Sequence, residues 1–288
     1  MMTTVAQALG GARKAGLDKL DADLLLLFAH GIDRNALNAA RSWLLSHDTD
    51  VVAELVLERY RQAVQRRRSG EPLAYIVGGK EFFGLALTVD PRVLVPRPDT
   101  ETLVQWALDQ TALAADGPGD KARRLLDLGT GSGAIALALK RQRPSWEVDA
   151  VDASLHALDV AKANAQRLGL QVRMLHGHWF DPIDGRYDCI VSNPPYVSEA
   201  DPHLAALTHE PQQALISGRD GLRDIRQIVD GAAMHLVTGG WLLLEHGSDQ
   251  GAAVQALLHG AGFLEASRRD DLAGRWRCSG GRWPGQVL

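Results

Sequence analysis

From Arg123 onward, short apolar runs alternate with amphipathic stretches, and this alternation limits the chain to very few folds. Leu125–Leu128, Val148–Val151, Gln171–Leu175, Asp188–Val191 and Trp241–Leu244 read as strands. Between and after them Ala134–Arg143, Ala157–Leu168, Leu222–Leu236 and Gly251–Leu258 read as helices, and Phe263–Ser267 opens a last strand pair. Parallel strands need crossover helices, so the pattern predicts an α/β sheet covered on both faces.

The first strand runs straight into Asp127-Leu128-Gly129-Thr130-Gly131-Ser132-Gly133 and then a helix. Glycines let the backbone turn sharply and let a ligand approach it, beside the unpaired N–H groups of the helix start. Asp152 ends the next strand, where an acid can accept both hydroxyls of a ribose. Gly129, Gly131 and Ala134 also satisfy a dinucleotide fingerprint, with Asp152 as its acid. Two details favour S-adenosylmethionine over a nicotinamide dinucleotide without deciding the matter. Asp127 would repel a pyrophosphate but could hold an ammonium. Three alternating glycines also suit a compact nucleoside.

Asn193-Pro194-Pro195-Tyr196 follows the apolar run Tyr187–Ser192. Each proline fixes its own φ and gives up an N–H, and the residue before a proline is biased to extended geometry. The stiff turn gathers an amide side chain, a backbone carbonyl and an aromatic face. Those groups suit a planar –NH2, offering an acceptor for each proton and a ring for the flat side.

The first seventy residues read as a small helical bundle. Leu24–Phe28 form its apolar centre after Asp21 and Asp23, and Val52, Leu55, Val56, Arg59, Tyr60 and Val64 recur at helical spacing up to Ser69-Gly70. The texture then changes. Tyr75-Ile76-Val77, Glu81-Phe82-Phe83, Leu85–Val89 and Val93-Leu94-Val95 are β-rich pieces punctuated by Gly78-Gly79, Gly84 and Asp90-Pro91. A hairpin connector is expected here. Asp99 and Thr100 open a helix to Leu113, and Ala115–Asp120 reads as a surface loop. The predicted division is a helical domain over 1–70, a β-hairpin connector over 71–98 and a catalytic domain over 99–288.

Composition excludes rather than identifies. The net charge of −4 over 288 residues does not suggest a nucleic-acid binder, and Arg66-Arg67-Arg68, flanked by Glu58 and Glu71, reads as a solvated helix end. Two cysteines, Cys189 and Cys278, build neither a disulfide framework nor a zinc cluster. His176 and His178 lie two apart but have no third ligand at metal spacing, so no metal site is expected. The longest early apolar run, Leu24–Ala29, is too short to cross a bilayer, so a soluble, cytoplasmic protein is expected.

The glycine loop, Asp152 and the Asn193–Tyr196 turn occur in the order of a class I S-adenosylmethionine-dependent amino-methyltransferase. More narrowly, the chain resembles the HemK/PrmC family, the peptide chain release factor glutamine N5-methyltransferases. The resemblance extends through Glu71–Gly78, Glu81–Leu85, Val95–Glu101 and Leu244–Gly247. It implies a Rossmann-like, mostly parallel seven-stranded sheet behind the helical bundle and hairpin. By the same resemblance Gly129, Thr130, Gly131, Ser132, Gly133, Asp152 and Asn193 bind S-adenosylmethionine, Trp179 lies along the adenine, and S-adenosylhomocysteine is the product. Asn193, Pro194, Pro195 and Tyr196 hold the substrate glutamine of a Gly-Gly-Gln motif, with Asn193, Pro194 and Tyr196 serving the chemistry. The N-terminal bundle helps dock a class 1 release factor, and direct DNA binding is not expected. One departure stands out. Many members carry an acid just before the position of Trp179, where this chain has His178, and Asp181 is the acid that could take over an adenine contact.

Other functions account for less. A DNA or RNA amino-methyltransferase shares the Asn-Pro-Pro-Tyr turn but usually adds a recognition domain and a basic groove. A nicotinamide oxidoreductase leaves the turn unexplained, and a non-catalytic binding module leaves the intact loop and turn unexplained.

Overall fold

The computed structural model describes residues 2–113 and 123–285. The loop expected over Ala115–Asp120 lies outside the described residues. The chain forms two compact units, Met1–Glu81 with Val89–Pro91, and Phe82–Thr88 with Arg92–Leu288.

The first unit is helical: α1 Val5–Lys14, α2 Lys19–Ala29, α3 Arg41–Ser46, α4 Glu54–Arg68 and α5 Leu73–Val77. Thr4 and Gln7 close a capping box on α1, each bonding the other's backbone N–H. Asp18, not Asp21 or Asp23, caps α2, accepting from the Asp21 N–H at 2.8 Å. Asp23 instead sits inside the helix, where Lys19 and Arg41 reach its carboxylate at 2.8 and 3.2 Å. Helix α2 is buried almost all round, with Leu25, Leu26 and Leu27 at 0 % exposure, because α1, α3, α4 and α5 all pack on it.

Tyr75-Ile76-Val77, expected as a strand, is the helical turn α5. Pro72 sets its entry, and Gly78 closes it in the left-handed region at φ 74° with its N–H on the Ala74 carbonyl. Burial of Ala74 through Val77 outweighs the β preference of Ile and Val.

The chain passes into the second unit through the hairpin β1 Lys80–Phe82 and β2 Leu85–Leu87. Its turn residues Phe83 and Gly84 both have positive φ, 49° and 75°, which matches the twist of the strands. Val93-Leu94-Val95, expected as a strand, pairs with none of the described strands. Pro96 and Pro98 follow it, and the Val95 N–H is spent on the Glu210 carboxylate at 3.1 Å.

A 3-10 turn, Pro98–Thr100, leads into α6 Glu101–Leu113. Then come β3 Arg124–Leu128, α7 Ala134–Gln142, β4 Glu147–Asp152, α8 Leu155–Leu168, β5 Arg173–His176 and β6 Tyr187–Ser192. They are followed by α9 Arg223–Ala232, β7 Leu236–Glu245, α10 Gly251–Gly260, β8 Leu264–Asp270 and β9 Trp276–Arg282. The helix expected to reach Leu236 ends at Ala232, a 3-10 turn follows, and Leu236 already belongs to β7.

The seven strands run in the order β5-β4-β3-β6-β7-β9-β8. All neighbouring pairs from β5 to β7 are parallel, and β9 is antiparallel to both β7 and β8. The strands alternate between two cores. Cys189, Val191, Trp241 and Leu243 face the side of α6 and α7, while Ile190, Leu242 and Leu244 face the side of α9 and α10. The chain order reverses between β3 and β6, and the carboxyl ends of β3, β4 and β6 open there as a crevice.

Candidate active site

Around that crevice lies a cleft of ≈ 350 Å³ whose walls include Gly129, Gly131, Asp152, Trp179, Asn193 and Pro195. Three distant segments of sequence therefore meet because their strands are neighbours in the sheet.

The glycine loop is held from several directions. Gly129 and Thr130 donate their N–H groups to the Val151 carbonyl at 2.9 and 3.0 Å, tying the loop to the end of β4. Gly129, Gly131 and Gly133 all have positive φ, 73°, 56° and 83°. A Cβ on Gly133 would stand 3.0 Å from Leu137 and 3.3 Å from Ala161, so this glycine also lets the loop press against α7 and α8. Asn164 completes the clamp, donating to the Ser132 and Thr88 carbonyls at 3.0 Å each.

Only part of the loop faces the cleft. Gly129 and Gly131 line it, whereas Thr130 and Ser132 are buried at 6 % and 3 % exposure. Thr130 donates its hydroxyl to Asp127 at 2.7 Å, and the Ala136 N–H reaches the same oxygen at 3.2 Å. Asp127 is wholly buried and braces the loop from inside through one carboxylate oxygen, while the other, Oδ1, has no hydrogen-bond partner. Burial pushes its carboxyl up to about 7, although both hydrogen bonds oppose the shift.

Asp152 does face the cleft. One carboxylate oxygen accepts from Gly131 N–H and the other from Ser154 N–H, each at 2.8 Å. Burial raises its carboxyl above the ordinary range, against these two bonds. Trp179, at φ 46°, packs its ring over the loop, 3.4 Å from where a Gly129 Cβ would sit, and donates its indole N–H to Gln227 at 3.0 Å. His178 is exposed on the cleft wall, whereas Asp181 is not on that wall. The Asp181 N–H closes a turn on the His178 carbonyl at 3.0 Å.

The Asn193–Tyr196 turn follows β6 directly. The Asn193 side-chain nitrogen donates to the Thr100 hydroxyl at 3.2 Å, which leaves its side-chain oxygen as an acceptor. Pro195 stands on the cleft wall with Asn193, and Pro194 is buried. Tyr196 is half-buried, is not on the cleft wall, and packs against the core of α9 and α10. Its hydroxyl points to Glu245 at 3.4 Å, and its carbonyl accepts from Gln250 at 2.9 Å. Burial, then the Glu245 charge, pushes the phenol well up.

Several functional candidates carry no local pattern in the sequence. Glu210 is 4 % exposed, accepts from the Val95 N–H and pairs with Arg97, so it latches the 92–97 segment to the loop before Pro211. Both segments line the cleft, through Val93, Leu94, Pro211 and Ala214. Among the described residues no group of three or more His, Cys, Asp or Glu could hold a metal ion. No described helix is long and apolar enough to cross a membrane.

The cleft accommodates a nucleoside cofactor on its own evidence. Gly129 lets the Trp179 ring lie close against the loop, and Asp152 offers a half-buried carboxylate on the same cleft wall. Sheet order, glycine loop, acid and turn together define a class I S-adenosylmethionine-dependent methyltransferase. Residues 108–218 match the Methyltransferase small domain. The fold is shared with a methyltransferase from Pyrococcus furiosus, at TM-score 0.54, 19 % identity, and coverage of 77 % of this chain and 100 % of that one. It is shared also with a T. thermophilus 16S rRNA methyltransferase solved with AdoMet and guanosine, at TM-score 0.52, 20 % identity, and coverage of 71 % and 49 %.

Sequence relatives narrow the class. Residues 3–78 match the PrmC N-terminal domain. The release factor glutamine methyltransferase of Bordetella pertussis is 47 % identical over 270 residues, 92 % of this chain and 95 % of that protein. The one from Pseudomonas aeruginosa is 48 % identical over 269 residues, 92 % of each. The chain belongs to the release factor glutamine methyltransferases, and S-adenosylmethionine is its methyl donor.

Proposed function

We propose that the cleft transfers a methyl group to the side-chain nitrogen of the glutamine in a Gly-Gly-Gln motif of class 1 release factors. Gly129, Gly131, Asp152 and Trp179 hold the methyl donor, and Asn193 with its turn holds the glutamine. The helical unit contributes to release factor docking, with no role for DNA, and the enzyme works in the cytoplasm, where its substrate acts.

The observation that carries this reading is the orientation of Asn193. With its nitrogen committed to Thr100, its oxygen is left to accept one proton of an incoming amide. The Pro194 carbonyl, which no N–H of the proline-proline step can satisfy locally, takes the other. Two acceptors on one –NH2 draw electron density onto nitrogen and fix its direction, which matters because an amide lone pair is delocalised into its carbonyl. S-adenosylmethionine, when bound, supplies an electrophilic methyl carbon on sulfur. Chain residues do the rest: they aim the nitrogen, exclude water and accept the proton it sheds. The nitrogen becomes very acidic once alkylated, so Asn193 Oδ1, a backbone carbonyl or water suffices and no histidine is required as base. Tyr196 holds the turn in place through its two anchors, at Glu245 and at Gln250.

Incubation with labelled S-adenosylmethionine and a purified release factor tests the reading. Label should enter the release factor and not a variant whose Gly-Gly-Gln glutamine is replaced by alanine. Equal labelling of both would remove the glutamine from the proposal.

A further inference from the structure

Two carboxylates stand on the cleft wall, Asp152 and Asp224. Asp152 accepts from the Gly131 and Ser154 N–H groups, whereas Asp224 braces no part of the glycine loop. It lies in the first turn of α9, where an acid gains from the helix dipole even at the surface. Here the acid is covered, at 3 % exposure. Among the described residues its carboxylate has one partner, Arg223, which donates to Oδ2 at 2.9 Å. The Arg223 side chain is itself 56 % exposed, so the pair offsets little of what burial of the carboxylate costs. Oδ1 accepts from no described residue. The backbone beneath it is fixed. The Asp224 N–H donates to the buried Ser217 hydroxyl at 2.9 Å, and the Arg223 N–H to the Ser217 carbonyl at 3.3 Å. One turn further along α9, Gln227 accepts the Trp179 indole N–H at 3.0 Å. Residues three apart share a helix face, with about 5–6 Å between their Cβ atoms, so Asp224 stands at the Trp179 end of the cleft.

We propose, resting on the reading that the adenine lies along Trp179, that Asp224 selects the base of the methyl donor by accepting an N–H of the adenine 6-amino group at Oδ1. The Trp179 ring offers a face to any flat heterocycle and cannot tell one purine from another. A carboxylate can, because it accepts and does not donate: it welcomes an amino group on the purine edge and gains nothing from a purine without one. The bond is charge-assisted, and it gives the buried carboxylate the donor that no described side chain supplies to Oδ1. Specificity for the base and stacking of the base thus come from neighbouring points on one helix, Asp224 directly and Gln227 through its hold on the indole.

Calorimetry compares S-adenosylhomocysteine with its 6-deamino analogue, which carries hydrogen in place of the amino group, on the wild-type protein, Asp224→Ala and Asp224→Asn. The wild type should bind S-adenosylhomocysteine about tenfold or more tightly than the analogue, the worth of a hydrogen bond to a charged group. Asp224→Ala should bring that ratio close to one by weakening S-adenosylhomocysteine far more than the analogue. Asp224→Asn keeps an acceptor oxygen without the charge, and its ratio should fall between the two. Equal affinities in the wild type overturn the inference, and that comparison needs no variant to fold. An undiminished ratio in Asp224→Ala also overturns it, as does an equal loss for both ligands, which marks a structural role alone. Trp179→Ala separates the two readings, since it should weaken both ligands alike and preserve their ratio. If it weakens neither, the ring reading fails, and the ratio in Asp224→Ala still judges the carboxylate.

Discussion

Gly221 supports the Asn193 turn from a distance of 25 positions, and replacing it by alanine should disable catalysis while leaving the cofactor side of the cleft whole. Gly221 has φ 72°, where alanine costs about 1–2 kcal/mol. Its added Cβ would lie 2.3 Å from the Tyr196 carbonyl oxygen and 2.6 Å from the Gln250 nitrogen. An ordinary carbon–oxygen contact is about 3.3 Å, so the carbonyl must retreat by about 1 Å. Retreat also breaks the Gln250–Tyr196 hydrogen bond of 2.9 Å, a further loss of about 1 kcal/mol. The sum is roughly 2–3 kcal/mol, or a melting temperature lower by roughly 5–10 °C. A misplacement of about 1 Å at the substrate turn predicts a kcat reduced about 100-fold. Single-turnover methylation of a release factor, calorimetry with S-adenosylmethionine and thermal melts measure the three quantities. A Gly221→Ala variant with wild-type kcat and melting temperature would refute the reasoning, as would one that loses cofactor affinity as much as rate.

Three other expectations follow from the same geometry. Trp179→Ala should weaken S-adenosylmethionine binding about tenfold, the worth of one stacking face, and unchanged affinity in calorimetry would separate the ring from the cofactor. Glu210→Ala removes the acceptor of Val95 N–H and the partner of Arg97, whose side chain is 38 % exposed, so a loss of about 1–3 kcal/mol and a raised KM are expected; a variant with wild-type melting and KM contradicts the latch. Asp127 and Glu245 have folded values of about 7 against 3.8 and 4.5 for the free groups. The native state therefore keeps their protons where the unfolded chain has released them. Their contribution favours folding at low pH and is lost as pH rises through 7, on the order of a few kcal/mol for each group. Denaturant melts at pH 5.5 and 8 should show the decline, and Asp127→Asn should flatten it; an unaltered slope in that variant rules out Asp127 as a source.

What could be read from the chain was what repeats or sits close in sequence. Strand–loop–helix alternation placed the sheet, because parallel strands impose helical crossovers. The glycine loop, Asp152 and the Asn193 turn were visible because each follows a strand, and strands of one parallel sheet end on one edge. Contacts across long separations were not visible. Glu210 meets Val95 over 115 positions and Asn193 meets Thr100 over 93, and neither partner belongs to a periodic pattern. Gly221 looks like any loop glycine until Tyr196 is placed beside it. Tyr75-Ile76-Val77 was misread for the opposite reason: its local β preference is clear, but Pro72, Gly78 and burial make a helical turn. The strand read over Trp241–Leu244 starts earlier, at Leu236, and runs through Gly239-Gly240. Asp127, read as able to hold an ammonium, is buried under the loop, and its setting, with Thr130 and Ala136 on one oxygen, carried no local signal.

The most direct test is fragmentation mass spectrometry of the Gly-Gly-Gln peptide from a release factor treated with S-adenosylmethionine and either the wild-type enzyme or Asn193→Ala. The predicted result is one added methyl on the glutamine side-chain nitrogen with the wild type and none with Asn193→Ala, while both bind the methyl donor with similar affinity. A methyl on any other residue, or undiminished transfer by Asn193→Ala, would contradict the account.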